Sequence, residues 1–398
     1  MFGQKGKIMN KKKKVVVQFI EAGQGHIVTA EAIAECLERK YSDKIEVVRD
    51  YVFRDSDDKA MQKYEQFSIN EVYKANKNKW HLRFQMLCMK IFGEMFSLKF
   101  VYSTVFRKVR NKLIKHMQSQ DADMFVSTYF MLYHTGVVGK RKKKFNADVI
   151  AYNPDHNTHG WWDRRGDLFI TNNPSATTEA LSTRKMPAEN VATVNFMARQ
   201  MIIDTNESKE YYRKKHNLPL DNLTVILADG AYAAARMPEY TDALLNSDKP
   251  LTLIAICGKN EKVYKKYCDL KDKTKPNITL VPLPFVTNIP ELYRASDILV
   301  TKAGPNAITD CVFMGTPVMT NYYTGAIEET SSRLFSEVYK CGIYEPDVKK
   351  AVEKIESWVD DRTELDELAK NTAVLDKNKN GAEEIADILA KRLLGEEN

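Results

Sequence analysis

Two turns in this chain combine glycine with residues that can move protons or hold anions. The first is Glu21-Ala22-Gly23-Gln24-Gly25-His26, followed by Ile27-Val28-Thr29-Ala30. It lies between an apolar run and a helical pattern. Gly23 and Gly25 permit a tight turn and let backbone N–H groups approach a ligand, and the next helix presents its positive end to negative charge. A lone Gly-x-Gly also serves turn geometry alone. His26 adds an imidazole at a sheet edge, where it can take a proton. The second turn is Val300-Thr301-Lys302-Ala303-Gly304-Pro305-Asn306-Ala307-Ile308-Thr309-Asp310, with Pro305 in the first helical turn. Such a turn can hold a diphosphate on helical N–H groups. Asp310, one turn on, can accept bonds from ribose hydroxyls or stand as a solvated helix carboxylate. Gly315-Thr316-Pro317 and then Glu328-Glu329 follow. The paired carboxylates suit the positive end of a helix and can also hold sugar hydroxyls.

These turns need a scaffold of strands. Strand-like runs are expected at Val15–Ala22, Lys44–Val52, Ala122–Thr128, Ala147–Asn153, Leu168–Asn172 and Val191–Phe196. A second series covers Leu223–Leu227, Leu251–Cys257, Ile278–Val281, Ile298–Thr301 and Pro317–Tyr322. Helical patterns lie between them, among them Ile27–Tyr41, a short helix capped by Ser175, Pro238–Asn246, Glu261–Lys271, Ile289–Ser296, Pro305–Met314 and Glu328–Lys340. Repeated βα units predict an α/β fold with parallel sheets. Two series joined by the polar stretch Asp204–Asn217 predict two Rossmann-like domains facing a cleft. The expected division is residues 1–205, residues 206–380, and a final helix in 381–398 that packs back on the first domain by fold analogy.

The 398 residues exceed one ordinary core, and 43% are apolar. No apolar run reaches the length of a membrane span, and Val15–Ile20 is short for a secretory signal, so a cytoplasmic protein is expected. The six cysteines form no Cys-x-x-Cys pair, which argues against structural zinc or a disulfide framework. Net charge is +7, which favours anionic partners. No nucleic-acid recognition motif accompanies it, so no nucleic-acid partner is expected. The segment Lys74–Gln118 holds eleven Lys or Arg against one acidic residue, interleaved with Trp80, Phe84, Phe92, Phe96, Phe100, Tyr102 and Phe106. That pattern suits an interfacial amphipathic helix on anionic lipid, or a helix pair with a solvated basic face.

The Gly-x-Gly-His turn, Cys257-Gly258-Lys259-Asn260, Ile298-Leu299-Val300-Thr301-Lys302-Ala303-Gly304-Pro305 and Gly315-Thr316-Pro317 occur in the order found in monogalactosyldiacylglycerol synthases and bacterial processive diacylglycerol glucosyltransferases. The chain resembles this group over about Val15 to Tyr344. The resemblance implies a GT-B fold of glycosyltransferase family 28. It also implies inverting transfer of a hexose from a UDP-sugar to a diacylglycerol-type lipid, peripherally on a membrane, with no cofactor and no bound metal. On this pattern Gly304, Pro305 and Asn306 sit at the diphosphate, Asp310 at the ribose, Glu328 and Glu329 near the sugar, and Phe285 and Val286 at the uracil. His26 lies near the reacting centre. The chain departs from the family pattern at Asp310, usually glutamate, and at Ile327, commonly glutamine. It also departs at Leu227-Ala228-Asp229-Gly230-Ala231-Tyr232-Ala233-Ala234, where one glycine remains in a glycine-rich loop and Asp229 is expected to put a negative charge where phosphate passes.

The family has a segment like Asn153-Pro154-Asp155-His156-Asn157-Thr158-His159-Gly160-Trp161-Trp162, associated with the acceptor. Asp155 is a candidate base or histidine partner, beside His26 as the other candidate. Trp161 and Trp162 pack on lipid or sugar, or simply pack the loop. His134, His156 and His159 fix no third ligand by spacing, so a metal is not expected. The altered glycine loop supports a second reading, a catalytically silent relative that binds lipid or nucleotide sugar. A third is a nucleotide-sugar enzyme with a soluble acceptor.

Overall fold

A parallel strand pair needs a crossover, and a helix that crosses back covers one sheet face. The computed structural model describes residues 11–20, 24–54, 58–59, 61–63, 65–66, 107–230, 236–323 and 326–395. It contains two sheets built this way, each of six parallel strands. The first comprises β1 (Lys13–Phe19), β2 (Ile45–Tyr51), β3 (Met124–Ser127), β4 (Asp148–Tyr152), β5 (Leu168–Thr171) and β6 (Val191–Thr193), in the order β2-β1-β3-β4-β5-β6. The second comprises β7 (Leu223–Ala228), β8 (Leu251–Gly258), β9 (Ile278–Pro284), β10 (Ile298–Lys302), β11 (Val318–Tyr322) and β12 (Gly342–Tyr344), in the order β12-β11-β10-β7-β8-β9. β12 had no counterpart among the expected strands. Val15, Val16 and Val17, like Val225, Ile226 and Leu227, are fully buried, as strands covered on both faces require.

Strand order reverses between β1 and β3 in the first sheet and between β7 and β10 in the second. Crevices form at such points, beyond the C-terminal ends of the strands. The loops after β1, β3, β7 and β10 therefore position the site. Helix α1 (Gln24–Tyr41) follows β1, and α2 (Phe130–Arg141) follows β3. Gly23 and residues 231–234 of the altered loop lie outside the described residues, as do residues 74–106 of the basic, aromatic segment.

The polar stretch between the sheets is more ordered than its composition suggests. It contains α3 (Lys209–Lys215), where the Ser208 side chain caps by accepting the Tyr211 N–H. Arg213 and Lys209 reach the buried Asp297 carboxylate at 2.5 and 2.9 Å, and Arg362 reaches it at 3.0 Å. Burial alone would push that carboxyl up; Lys209, Arg213 and the Thr224 N–H hold it at about 2. The cap of the short helix Pro174–Thr178 is Asn173, not Ser175: its side chain accepts the Ala176 N–H, with proline in the first turn.

Four more helices matter for the site. They are α4 (Met237–Leu244), α5 (Pro305–Phe313), α6 (Ala326–Arg333) and α7 (Gly381–Leu394). α7 places Ala382, Ile385, Ala386, Leu389 and Ala390 in the first sheet's core, against Ala30, Ile33 and Leu37 of α1. A Cβ on Gly381 would lie 2.0 Å from the Asn195 carbonyl oxygen, so only glycine fits this docking point. Among the described residues no helix is long and apolar enough to cross a membrane.

Candidate active site

Two helix N-termini, one from each half of the molecule, meet at the cleft. α1 begins at Gln24 and α5 at Pro305. A Cβ on Gly25 would lie 3.2 Å from the Asn306 Nδ2, which measures how closely they approach. The first backbone N–H groups of each helix lack intrahelical acceptors, and both macrodipoles point their positive ends here. Gly304 is the N-cap of α5 and offers no side chain to block that end. The arrangement is suited to a diphosphate.

His26 stands at this junction. Its Nδ1 lies 2.8 Å from the Thr128 carbonyl oxygen, at the end of β3. A carbonyl only accepts, so Nδ1 carries the proton and Nε2 presents a lone pair. Tyr129 packs edge-on against the ring at 5.1 Å. Burial lowers the His26 pKa below its ordinary value, against the opposing charge of Asp155 and the Thr128 bond. The neutral base is therefore the resting form at neutral pH.

The charge of Asp155 acts to raise the His26 pKa, and the pKa of Asp155 itself reflects a contest. Burial raises it, but His159, His26 and His156 together leave it below the usual carboxylate range. His159 Nε2 lies 3.6 Å from Asp155 Oδ2. The other histidines hold separate partners: His156 Nε2 is 3.3 Å from the Thr309 hydroxyl, and His134 Nδ1 is 2.7 Å from Asp163. Trp162 is 5% exposed and packs on Phe130 and Phe169, so it belongs to the core beneath the loop and does not face a ligand. Trp161 is partly buried, edge-on to Phe130 at 5.0 Å.

On the second sheet, Lys302 ends β10 and its Nζ lies 3.4 Å from Glu328 Oε1 on α6. Its stem passes near Gly230 and Gly304, where added Cβ atoms would lie 3.8 and 3.9 Å from Lys302 Cε. Glu329 lies 3.8 Å from Arg333. Phe285 is exposed just beyond β9, with Lys259 Nζ 5.6 Å from its ring centre, while Val286 packs against the second core. Sequence reasoning passed over Lys302 as a site residue, though it is the cation within the Thr-Lys-Ala-Gly-Pro run.

Asp229 in the altered loop turns its charge inward. Its carboxylate accepts the N–H groups of Arg236 (2.7 Å), Met237 and Lys302 (2.7 Å), which ties the start of α4 to the end of β10. It caps the second crevice from within and does not face a passing phosphate. Asp229→Ala is expected to destabilise the protein by about 3 kcal/mol, because three buried donors lose their acceptor. Denaturant unfolding of the variant checks this.

Asp310 is neither solvated nor open to a ribose in this arrangement. It is 6% exposed and paired with Arg199, which arrives from the first half of the molecule. Burial raises the Asp310 pKa, and Arg199 opposes that rise. A cavity of about 30 Å³ remains here, lined by Tyr152, His156, Arg199, Asn306 and Asp310 among others. That is room for about one water.

His156 closes the same interface. It is 2% exposed, rests against Phe196 and Phe335, and burial lowers its pKa to about 4. The fold thus favours the neutral ring, whereas an unfolded histidine titrates near 6.5. Its stabilisation is complete above about pH 6.5 and is lost as pH falls toward 4. The expected loss is on the order of 3 kcal/mol. Unfolding curves at pH 7 and pH 4.5 should show a shallower pH dependence in His156→Asn, which has no ring to charge.

Two parallel Rossmann-like sheets facing a cleft, with helix N-termini and a histidine at their junction, define a glycosyltransferase of the GT-B architecture. The family model for monogalactosyldiacylglycerol (MGDG) synthase matches residues 26–194, and the model for the glycosyltransferase family 28 C-terminal domain matches residues 234–387. Each half of the chain thus matches a glycosyltransferase family model. It is similar to a processive diacylglycerol beta-glucosyltransferase of Bacillus pumilus, 23% identical over 369 residues that cover 91% of each chain. It is also similar to a probable chloroplastic monogalactosyldiacylglycerol synthase of Nicotiana tabacum, 21% identical over 360 residues, covering 87% of this chain and 64% of that one. Its fold matches the crystal structure of Acinetobacter baumannii MurG with a TM-score of 0.63 at 14% identity, covering 95% of this chain and 99% of that one. It also matches Anabaena HepE in complex with UDP, with a TM-score of 0.56 at 14% identity, covering 97% and 100%.

Proposed function

We propose that this chain is an inverting hexosyltransferase that moves a sugar from a UDP-sugar to a diacylglycerol-type lipid at the cytoplasmic face of a membrane. The observation that carries the reading is the meeting of the α1 and α5 N-termini with a neutral His26 between them. The names of the Bacillus and Nicotiana relatives supply the acceptor class, and the UDP in the HepE complex supplies the donor class.

In this reading residues 206–380 bind the donor. Gly304, Pro305 and Asn306 lie at the diphosphate, Glu328 and Glu329 at the sugar, and Phe285 and Val286 at the uracil. Asp310 meets the ribose once Arg199 lets go. Residues 1–205 bind the acceptor through the Gly23–Gly25 turn and Trp161, and 381–398 anchor the chain's end to them. The basic, aromatic segment 74–118 meets anionic lipid. His26 Nε2 takes the proton of the acceptor hydroxyl as its oxygen bonds to the anomeric carbon. The bond from that carbon to the phosphate oxygen breaks, and UDP leaves with its charge met by helix N–H groups and Lys302. Attack from the face opposite the leaving group inverts the carbon.

UDP release from UDP-glucose and UDP-galactose, with and without diacylglycerol in anionic vesicles, tests the reading. Acceptor-dependent release supports it. UDP binding by calorimetry without release would instead support a silent binding protein.

A further inference from the structure

The chain passes between the two halves of the molecule twice, once from β6 toward α3 and once from the helix Thr363–Asn371 toward α7. Both crossings line a hollow of about 460 Å³. Thr205 and Asn206 come from the first crossing, and Lys377 comes from the second. Arg294, Lys370 and Met314, just past α5, also line it. The hollow lies at the opposite end of α5 from the Gly304 turn, so it is separate from the cleft.

Three cations face this hollow, Arg294, Lys370 and Lys377, and no carboxylate lines it. Lys377 is partly buried, and its Nζ donates to the Thr205 carbonyl at 2.7 Å. Two residues on, the Glu207 carbonyl accepts Arg294 Nε at 3.2 Å, and Arg294 Nη1 donates to the Met314 carbonyl at 3.0 Å. One short stretch of backbone therefore holds both cations. Their bonds go to carbonyls, and neither pairs with a carboxylate among the described residues. Met314 is the C-cap of α5, whose end supplies about half a negative charge. Capping thus offsets part of this charge and leaves most of it standing. Lys370 adds a third charge; it is exposed and reaches Glu367 only at 4.0 Å. Burial, and then the charge of Arg294, lower the Lys377 pKa, as expected for like charges gathered without a counter-charge.

We propose that this hollow binds a phosphoryl group, at a site separate from the donor site, and that the bound anion ties together the two crossings between the halves. Its oxygens accept from Lys377, Lys370 and the Arg294 guanidinium, a planar donor set suited to phosphate. The proposal does not depend on the transferase reading.

Calorimetric titration of the full chain with inorganic phosphate and with glycerol 3-phosphate, at fixed ionic strength, tests the site. Wild type is compared with Lys377→Gln, Lys370→Gln and Lys302→Gln. Lys302 stands at the cleft and reports any phosphate held there. Loss of one charge-assisted contact should weaken binding about tenfold in Lys377→Gln and in Lys370→Gln, with Lys302→Gln unchanged. Lys370 is exposed, so its variant keeps the fold whatever Lys377→Gln does. Phosphate should also raise the melting temperature of wild type by more than that of Lys377→Gln. Tighter binding of glycerol 3-phosphate would name a phosphate ester as the source, a lipid headgroup among them; tighter binding of inorganic phosphate would name the free anion. Equal binding by wild type, Lys377→Gln and Lys370→Gln would overturn the proposal. So would a loss confined to Lys302→Gln, which would put the anion in the cleft. No binding by wild type would overturn it as well, leaving the cations as caps of helix ends.

Discussion

Replacing His26 with alanine is expected to lower kcat by about 10²- to 10⁴-fold, the range for loss of a general base. The fold should survive, because losing the bond from Nδ1 to the Thr128 carbonyl costs about 1 kcal/mol. The Gly25–Asn306 approach depends on backbone and does not need the imidazole. The wild-type pH profile follows from the same geometry. Only the neutral ring can accept a proton at Nε2, and burial lowers its pKa below 6.5. Turnover should therefore stay level from neutral pH to below 6.5, then fall as His26 protonates. Steady-state kinetics from pH 5 to pH 9 check both points. A variant with more than a tenth of wild-type kcat would remove His26 from the role of base and leave Asp155 as the remaining candidate.

Arg199→Ala should have the largest effect on stability. It leaves the Asp310 carboxylate buried without its cation, and breaking one side of a buried pair costs about 3–5 kcal/mol. The sign with pH is distinctive. Burial already raises the Asp310 pKa in the fold, so the group favours its protonated form there. Removing Arg199 raises it further. The deficit against wild type should be greatest at neutral pH and shrink as pH falls through the raised pKa, where Asp310 sheds its charge. Asp310→Asn in the Arg199→Ala background should recover stability at neutral pH. UDP should raise the melting temperature of Arg199→Ala by more than that of wild type, because ribose hydroxyls then serve a carboxylate with no competing cation. Thermal unfolding at pH 7 and pH 5, with and without UDP, measures all of this.

The two sheets were legible in the sequence because strands buried on both faces are continuous apolar runs, as in Val15–Ile20 and Leu251–Cys257. The α5 turn was legible because a proline at N1 after glycine has few other uses. β12, three residues long with one buried, carries too little pattern to see. The stretch 204–217 looked like a solvated join because its charges are many, yet Arg213 is buried on a partner 84 residues away. Arg199 escaped notice for the same reason: its partner Asp310 is 111 residues distant, and only the docking of one domain on the other brings them together. Asp229 looked like a charge in the phosphate's path because sequence does not show which way a loop carboxylate turns. For Trp162 the sequence left a ligand face and loop packing both open, because burial is not visible in it; the structure shows packing.

The central claim is tested most directly by incubating the protein with UDP-[14C]glucose or UDP-[14C]galactose and diacylglycerol in anionic vesicles, then counting the organic extract. The account expects label in the lipid phase, dependent on diacylglycerol, in the β-anomer when the donor is the α-linked sugar, and nearly abolished by His26→Ala. No lipid-phase label with either donor, from protein that still binds UDP, would contradict it.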